Sequence, residues 1–262
     1  MLFSNEFLVN YANFEGLKSI CLTIDVDFAP EYMIENIVNI LDEYDINATF
    51  FATHKSSILH ELELNGKYEI GIHPNLCSNT TQGAEINEIV SILKNEYPNS
   101  VSNRFHKHNY QYSDFSILKS NGFQNDVSRL QYNCSYVLPS IQPDSNLVLF
   151  SYIWEDGICE NAGLPMDILG IDLRSPGIKI VNFHPLNVYI NGRTNSERLK
   201  FLKTVNKLTY CPENHAEKFK CNGPGSYNVL KQLLSYTEEN KVTFRTINEV
   251  SKVFLSEIES SV

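Results

Sequence analysis

The chain has 262 residues, of which 42% are hydrophobic and 11% aromatic, enough for a sizeable buried core. Its formal net charge of -10 and the lack of a Lys/Arg cluster argue against a nucleic-acid partner or an anionic membrane surface. No segment approaches the ~18 consecutive apolar residues of a membrane helix, so we expect no membrane insertion.

The predicted elements alternate between strands and helices along the chain. Short β-branched or aromatic runs predict strands, and apolar residues at helical spacing predict helices. The predicted strands are 19–24, 48–53, 68–73, 102–107, 125–128, 147–154, 178–185 and 242–246. The predicted helices are 30–44, 83–98, 113–122, 196–208, 226–241 and a C-terminal one. This alternation indicates an α/β fold with parallel pairing and outer helices, and seven or so such units can close as a barrel.

No internal repeat, low-complexity tract or Pro/Ser-rich linker divides the chain, so we expect a single domain over residues 1–262. Residues 1–16 contain neither a basic region nor a small-residue cleavage site, which favours a cytoplasmic protein. The six cysteines have no CxxC spacing and are interpreted as reduced thiols. Nothing in the pattern indicates an oligomeric state.

Ionisable residues collect where successive predicted strands end. In chain order they are Asp25, Asp27, His54, His73, Arg104, His106, His108, Glu155, Asp156 and His184. Any one of them is more often a capped turn or a satisfied core group than a functional residue. In a parallel α/β barrel, however, the carboxyl ends of the strands meet at the face that carries active sites. Their shared placement therefore predicts a site at this face.

An aspartate and histidines that face a common mouth form a ligand set for Zn²⁺ or a similar divalent ion. If Asp25-Val26-Asp27 is extended, its period-2 alternation sends both carboxylates to the same side. One carboxylate would then serve the ion and the other a water molecule. A turn at this segment would remove that argument.

Six motifs, LTIDVDFAPE, ATFFATH, EIGIHPN, NRFHKH, WEDG and VNFHPL, occur in this order between residues 19 and 190. Together they resemble the polysaccharide deacetylase family with NodB homology, which is similar to carbohydrate esterase family 4. The resemblance is strongest to its divergent bacterial branch associated with surface polysaccharides such as O-antigen. It implies a distorted (β/α) barrel with about seven parallel strands and a site at their C-terminal ends. It also implies metal-dependent removal of an N-acyl group, typically acetyl, from an amino sugar.

The resemblance also implies one divalent ion, with Zn²⁺ preferred and Co²⁺, Mn²⁺ or Ni²⁺ as alternatives. Asp27 stands near the family's metal-binding aspartate, and His73 matches its first metal histidine. The family's second histidine, four residues later, is replaced here by Cys77. We prefer His106 as the third ligand, because it follows Arg104 by two residues on a predicted strand.

Other motif positions imply the remaining roles. Asp25 matches the family's base, Arg104 the arginine that holds it, and His184 the catalytic acid. The carboxylate that orients this histidine is Asp156, with Glu155 as the alternative.

Contacts with the substrate are assigned to Asn75, Trp154, Glu155 and His108. Two residues, His108 and Cys77, are alternatives to His106 as the third metal ligand. The histidines His54, His60 and His215 are interpreted as structural.

We therefore expect a hydrolase that acts on a cytoplasmic precursor of a surface polysaccharide. One alternative is a deformylase or another small-amide hydrolase on the same fold. Another is a noncatalytic carbohydrate-binding homologue, which would bind sugar without metal-dependent turnover. Fold resemblance by itself does not decide among these functions.

Overall fold

The computed structural model describes residues 18–78, 80–132, 134–157, 171–173 and 175–260. Its strands are β1 (Ser19–Asp25), β2 (Thr49–Ala52), β3 (Glu69–Ile72), β4 (Ser102–Asn103), β5 (Asn125–Leu130), β6 (Ser140–Ile141), β7 (Val148–Tyr152), β8 (Trp154–Glu155), β9 (Lys179–Phe183) and β10 (Thr243–Phe244). Its α-helices are α1 (Glu31–Glu43), α2 (Ser57–Asn65), α3 (Ile86–Glu96), α4 (Asp114–Ser120), α5 (Pro185–Tyr189), α6 (Asn195–Leu202), α7 (Glu213–Ala216), α8 (Ser226–Asn240) and α9 (Ile247–Ser260).

These strands form one curled sheet in the order β6-β7-β5-β4-β3-β2-β1-β9-β8, with β10 beside β1. The pairing is parallel except between β6 and β7. Strand β1 lies between β2 and β9, and its Ile24 is opposite Phe50 on one side and Phe183 on the other. Every residue of β1 is buried, as parallel strands covered on both faces require. The predicted α/β architecture is confirmed.

One continuous segment, Val148–Glu155, joins the two ends of the sheet. Its first part, β7, pairs with β5, and its last part, β8, pairs with β9. Between them the Ile153 amide donates to the Ile180 carbonyl at 2.9 Å. The sheet therefore curls toward a barrel, and β7 with β8 replaces the single strand predicted at 147–154. If β7 and β8 are counted as one strand and β10 is left out, the parallel strands in the described part of the chain number seven.

Helix α2 was not predicted, because its apolar face is weak. Only Leu59 and Leu62 are buried on it. Its ends, rather than its periodicity, define it: the Ser56 hydroxyl accepts from the Leu59 amide, and Gly66 closes the helix at φ 72°.

Two other boundaries differ from prediction. The strand predicted at 102–107 is only β4, after which the chain turns into a 3₁₀ helix, His106–His108. The helix predicted at 196–208 ends at Leu202. No helix among the described residues combines the length and apolar character needed to cross a bilayer.

Candidate active site

A cavity of about 240 Å³ opens at the carboxyl ends of the barrel strands. Eight of the predicted site residues line it: Asp25, Asp27, His73, Arg104, His106, His108, Glu155 and His184. They lie at the end of, or shortly after, β1, β3, β4, β8 and β9. The predicted convergence at the strand ends is therefore present in the structure.

Asp27, His73 and His106 bring three ligand atoms within 4.8 Å of one another. Asp27 Oδ1 lies 2.9 Å from His106 Nδ1 and 3.3 Å from His73 Nε2. The two ring nitrogens are 3.2 Å apart. Burial raises the pKa of Asp27, but the His106 and His73 imidazoles outweigh burial and hold that pKa well below its usual value. The three side chains form a compact nitrogen and oxygen donor set.

The segment that carries Asp25 and Asp27 is not extended. Strand β1 ends at Asp25, and Asp27 and Phe28 have left-handed backbones, with φ 48° and 60°. The Phe28 amide donates to the Thr53 hydroxyl at 2.8 Å and holds this turn. The alternation argument for the two carboxylates is therefore wrong. The turn nevertheless brings the two carboxylates together: each has an oxygen within 3.8 Å of His73 Nε2.

His106 also reaches the cluster from a turn rather than from a strand. Its amide donates to the Pro74 carbonyl at 2.9 Å, and the following Lys107 has φ 55°. The argument that placed His106 on a strand face is wrong. Cys77 lies outside this cluster, and its sulfur accepts from Asn109 Nδ2 at 3.9 Å.

Asp25 is buried, and each of its carboxylate oxygens accepts a hydrogen bond. Arg104 Nη1 donates to Oδ1 at 2.9 Å, and Asn182 Nδ2 donates to Oδ2 at 2.9 Å. Burial raises the pKa of Asp25, but the charges of Arg104, His73 and His184 outweigh burial and lower it below the usual value. Asp25 is therefore an oriented, ionised carboxylate at neutral pH.

Arg104 is itself fixed from several sides. Its Nη1 also donates to the Thr23 hydroxyl at 2.9 Å, and its Nε donates to the Val127 carbonyl at 3.0 Å. The guanidinium lies between the rings of Phe51 and Tyr152, 4.6 and 4.4 Å from their centroids. A fully buried cation held this way is a rigid anchor for the carboxylate that it contacts.

His184 forms a separate pair with Asp156. Its Nδ1 lies 2.6 Å from Asp156 Oδ1, which also accepts from Asn187 Nδ2 at 3.0 Å. Burial lowers the pKa of His184, but the charge and hydrogen bond of Asp156 outweigh burial and raise it to about 10. The imidazole is therefore protonated at neutral pH, and its Nε2 faces the cavity 3.8 Å from Asp27 Oδ2.

Glu155, Tyr152 and His108 also line the cavity. The Tyr152 hydroxyl donates to Glu155 Oε2 at 2.9 Å and lies 3.2 Å from His108 Nε2. Burial raises the pKa of Glu155, with His184 opposing it. These side chains offer hydrogen-bonding groups to a polar ligand.

A family model for WbmS-like polysaccharide deacetylases matches residues 22–200, most of the barrel. The chain belongs to this family. The resemblance inferred from the six motifs is thereby confirmed. None of the curated proteins compared with the chain matches it.

Solved structures of WbmS and of two other hydrolases have a similar fold. WbmS of Bordetella bronchiseptica, assigned as a polysaccharide deacetylase involved in O-antigen biosynthesis, superposes with a TM-score of 0.74. It is 23% identical, over 84% of this chain and 91% of that one. The Bc1960 peptidoglycan N-acetylglucosamine deacetylase is 14% identical over 89% and 87%, with a TM-score of 0.50. PuuE allantoinase is 8% identical over 95% and 96%, with a TM-score of 0.52. At these sequence identities, the similarity to the three structures shows a shared fold and not a shared activity.

Two residues assigned to the family's substrate site do not line the cavity. The Asn75 side chain accepts from the Cys77 amide at 3.0 Å within its own loop. Trp154 is 3% exposed and packs on Phe183, with ring centroids 5.1 Å apart. Their proposed contacts with substrate stay predictions.

The sequence analysis missed Asn182, Tyr152 and Arg198. Asn182 precedes His184 by two residues, so period-2 alternation could have placed it on the same side of β9. Arg198 comes from α6, and its Nη2 donates to Asp27 Oδ2 at 3.3 Å. No local signal in the sequence connects this helix with β1.

Proposed function

We propose that the chain is a metal-dependent hydrolase that removes an N-acyl group, typically acetyl, from an amino sugar in a precursor of a surface polysaccharide. The observation that carries this proposal is one small cavity with three parts: the Asp27, His73 and His106 donor set, the Asp25–Arg104 pair and the His184–Asp156 pair. Membership of the WbmS-like family supports the reaction class. The description of Bordetella WbmS supports the link to O-antigen.

The donor set fits a divalent ion. His73 Nδ1 lies 2.7 Å from the Arg104 carbonyl, which assigns the ring proton to Nδ1 and leaves a lone pair on Nε2. Asp27 Oδ1 is buried and accepts no hydrogen bond of good geometry. Such an oxygen beside two imidazole nitrogens suits Zn²⁺, with Co²⁺, Mn²⁺ and Ni²⁺ as alternatives. We assign Asp27, His73 and His106 as ligands.

Asp25 is the general base in this proposal. When bound, the ion would polarise the acyl carbonyl and acidify water in the site. Asp25 takes the proton of the attacking water, because it is ionised and lies beside the donor set. Arg104 and Asn182 orient its two oxygens, and the charge of Arg104 helps to keep the carboxylate ionised.

His184 is the general acid. The departing amine needs a proton, and a protonated imidazole facing the cavity can supply it from Nε2. Asp156 holds the other ring nitrogen, which sets the direction of transfer and keeps the ring charged. The two pairs thus divide proton removal and proton donation between two different side chains, Asp25 and His184.

The size and the polar lining of the cavity support the proposed substrate class. At about 240 Å³ the cavity is below the 300–1,000 Å³ typical of drug-sized ligands and suits a single sugar unit. We assign Glu155 and His108 to its hydroxyl groups. A cytoplasmic precursor, rather than a finished polymer, stays the predicted substrate.

Elemental analysis of the purified protein, followed by an acyl-release screen, tests the function. We expect about one divalent ion per chain and acetate release from N-acetylated amino sugars, lost on chelation and restored by Zn²⁺, Co²⁺ or Mn²⁺. Matched N-formyl sugars distinguish a deformylase by formate release. Sugar binding without turnover in metal-loaded protein would contradict the proposal and support the noncatalytic alternative.

A further inference from the structure

Arg198 reaches the candidate metal cluster from outside the barrel strands. It lies on α6, whose first turn is capped by the Thr194 hydroxyl accepting from the Glu197 amide at 3.2 Å. Its side chain is 23% exposed and lines the cavity. Its guanidinium Nη2 donates to Asp27 Oδ2 at 3.3 Å. The proposed function uses Asp27 but gives Arg198 no role.

The two oxygens of Asp27 face different groups. Oδ1 faces the nitrogens of His106 and His73, whereas Oδ2 faces Arg198. His184 Nε2 lies 3.8 Å from Oδ2, too far for a hydrogen bond. One oxygen of the Asp27 carboxylate therefore faces the two imidazoles, and the other faces the Arg198 guanidinium.

Nothing in the backbone at Asp27 would by itself maintain this division. The residue sits in a left-handed turn beyond the end of β1, so no ladder of strand hydrogen bonds surrounds it. Rotation about the terminal bond of an aspartate side chain is soft and nearly two-fold, so its two oxygens exchange easily unless a partner distinguishes them. The charge-assisted bond from Arg198 distinguishes them.

We propose that Arg198 is a positioning residue that holds Oδ2 of Asp27 and thereby presents Oδ1 to the divalent ion together with His73 and His106. This inference rests on the proposed function, because it requires the ion. A partly exposed ion pair adds little to folding stability, so the main effect of Arg198 is on the site. Groups that orient metal ligands typically change metal affinity by about 10- to 100-fold when removed.

The test is a titration of metal-free protein with Co²⁺, read by binding and by the visible absorption of the bound ion. The variants are Arg198→Met, Arg198→Gln and Arg198→Lys. The matched control is Arg193→Met, which removes a nearby guanidinium that pairs with Glu197 instead of Asp27. Circular dichroism confirms that each variant is folded.

We expect Arg198→Met and Arg198→Gln to weaken Co²⁺ binding by roughly 10- to 100-fold and to alter the absorption spectrum, because the Asp27 carboxylate is free to turn. Arg198→Lys should recover part of the affinity, since a lysine keeps the charge but not the fork of donors. Arg193→Met should bind Co²⁺ as the unchanged protein does.

Two results would overturn the positioning role. The first is an unchanged Co²⁺ affinity and absorption spectrum in both neutral variants. The second is unchanged Co²⁺ binding together with a raised KM, which would make Arg198 a substrate-binding residue. A wild-type protein that binds no Co²⁺ would reject the proposed function as well, so the two failures are distinguishable.

Discussion

Asp25 and Asp27 are two residues apart in the sequence, yet the structure gives them different partners. Asp25 ends a strand and lies against Arg104 and Asn182, so both of its oxygens are occupied by donors. Asp27 lies in a left-handed turn, and its Oδ1 faces only imidazole nitrogens among the described residues. The first environment suits a base and the second a metal ligand.

Asp25→Asn and His184→Ala test the division between base and acid. Each should keep its fold and bound metal while lowering turnover by roughly 10²-fold or more, because each removes one proton-transfer group. The measurements are kcat and metal content, with His215→Ala as the control, a histidine that contacts Thr204 elsewhere. Loss of metal in His184→Ala would make that residue a ligand instead.

Asp156→Asn tests how His184 is tuned. The Asp156 charge raises the pKa of His184 to about 10 against burial, so removing the charge should lower that pKa. Because the acid must be protonated, activity falls as pH rises through the pKa of His184. The alkaline limb of kcat/KM should therefore move to lower pH while the acid limb stays. An alkaline limb that does not move would contradict the assignment of His184.

At the scale of elements, a bulge in β5 supports the segment that carries His106 and His108. The register shifts between Asp126 and Arg129. The Ser128 hydroxyl accepts from the Phe105 amide at 2.9 Å, and the Ser128 carbonyl lies 2.7 Å from His108 Nδ1. Asp126 in turn accepts from the Ser128 hydroxyl at 2.8 Å. A residue of the bulge therefore helps to position the wall of the site.

Asp126→Asn tests this bulge through the pH dependence of stability. Burial raises the pKa of Asp126 from 3.8 to about 6, so the folded protein binds more protons than the unfolded chain between these values. The free energy of unfolding should therefore fall as pH rises from about 4 to about 6, with this group contributing up to about 3 kcal/mol. Denaturant titrations at several pH values should show a smaller decline in Asp126→Asn. An equal decline in both proteins would contradict this account.

At the scale of the whole molecule, the curled sheet brings together residues that are distant in sequence. Asp25 and Asn182 are in contact because β1 and β9 are adjacent in the sheet. Arg104 reaches both of them from beyond β4. The site therefore depends on closure of the whole sheet.

Divalent ions should stabilise the folded protein, because the proposed ligands converge only in the native state. We expect Zn²⁺ to raise Tm, and His73→Ala or His106→Ala to abolish this rise together with stoichiometric metal. Cys77→Ala should behave as the unchanged protein, because the sulfur lies outside the cluster. Full metal occupancy in His73→Ala would reject the ligand set, and metal loss in Cys77→Ala alone would replace His106 with Cys77.

The sequence by itself determined the alternation of strands and helices and the placement of ionisable residues at strand ends. Both follow from local periodicity, which the side chains of a buried strand or an amphipathic helix must obey. The motif order was sufficient for the family, and His73 and His184 could be placed in the site because each directly follows a strand.

Only the tertiary structure decided which side chains meet. The turn at Asp27, the 3₁₀ helix at His106 and the approach of Arg198 all depend on contacts between distant segments, such as the bond from Phe28 to Thr53 and that from His106 to Pro74. A side chain's direction follows the φ and ψ angles of its residue. In turns, those angles are set by tertiary partners rather than by a repeating pattern, so spacing along the chain does not predict them.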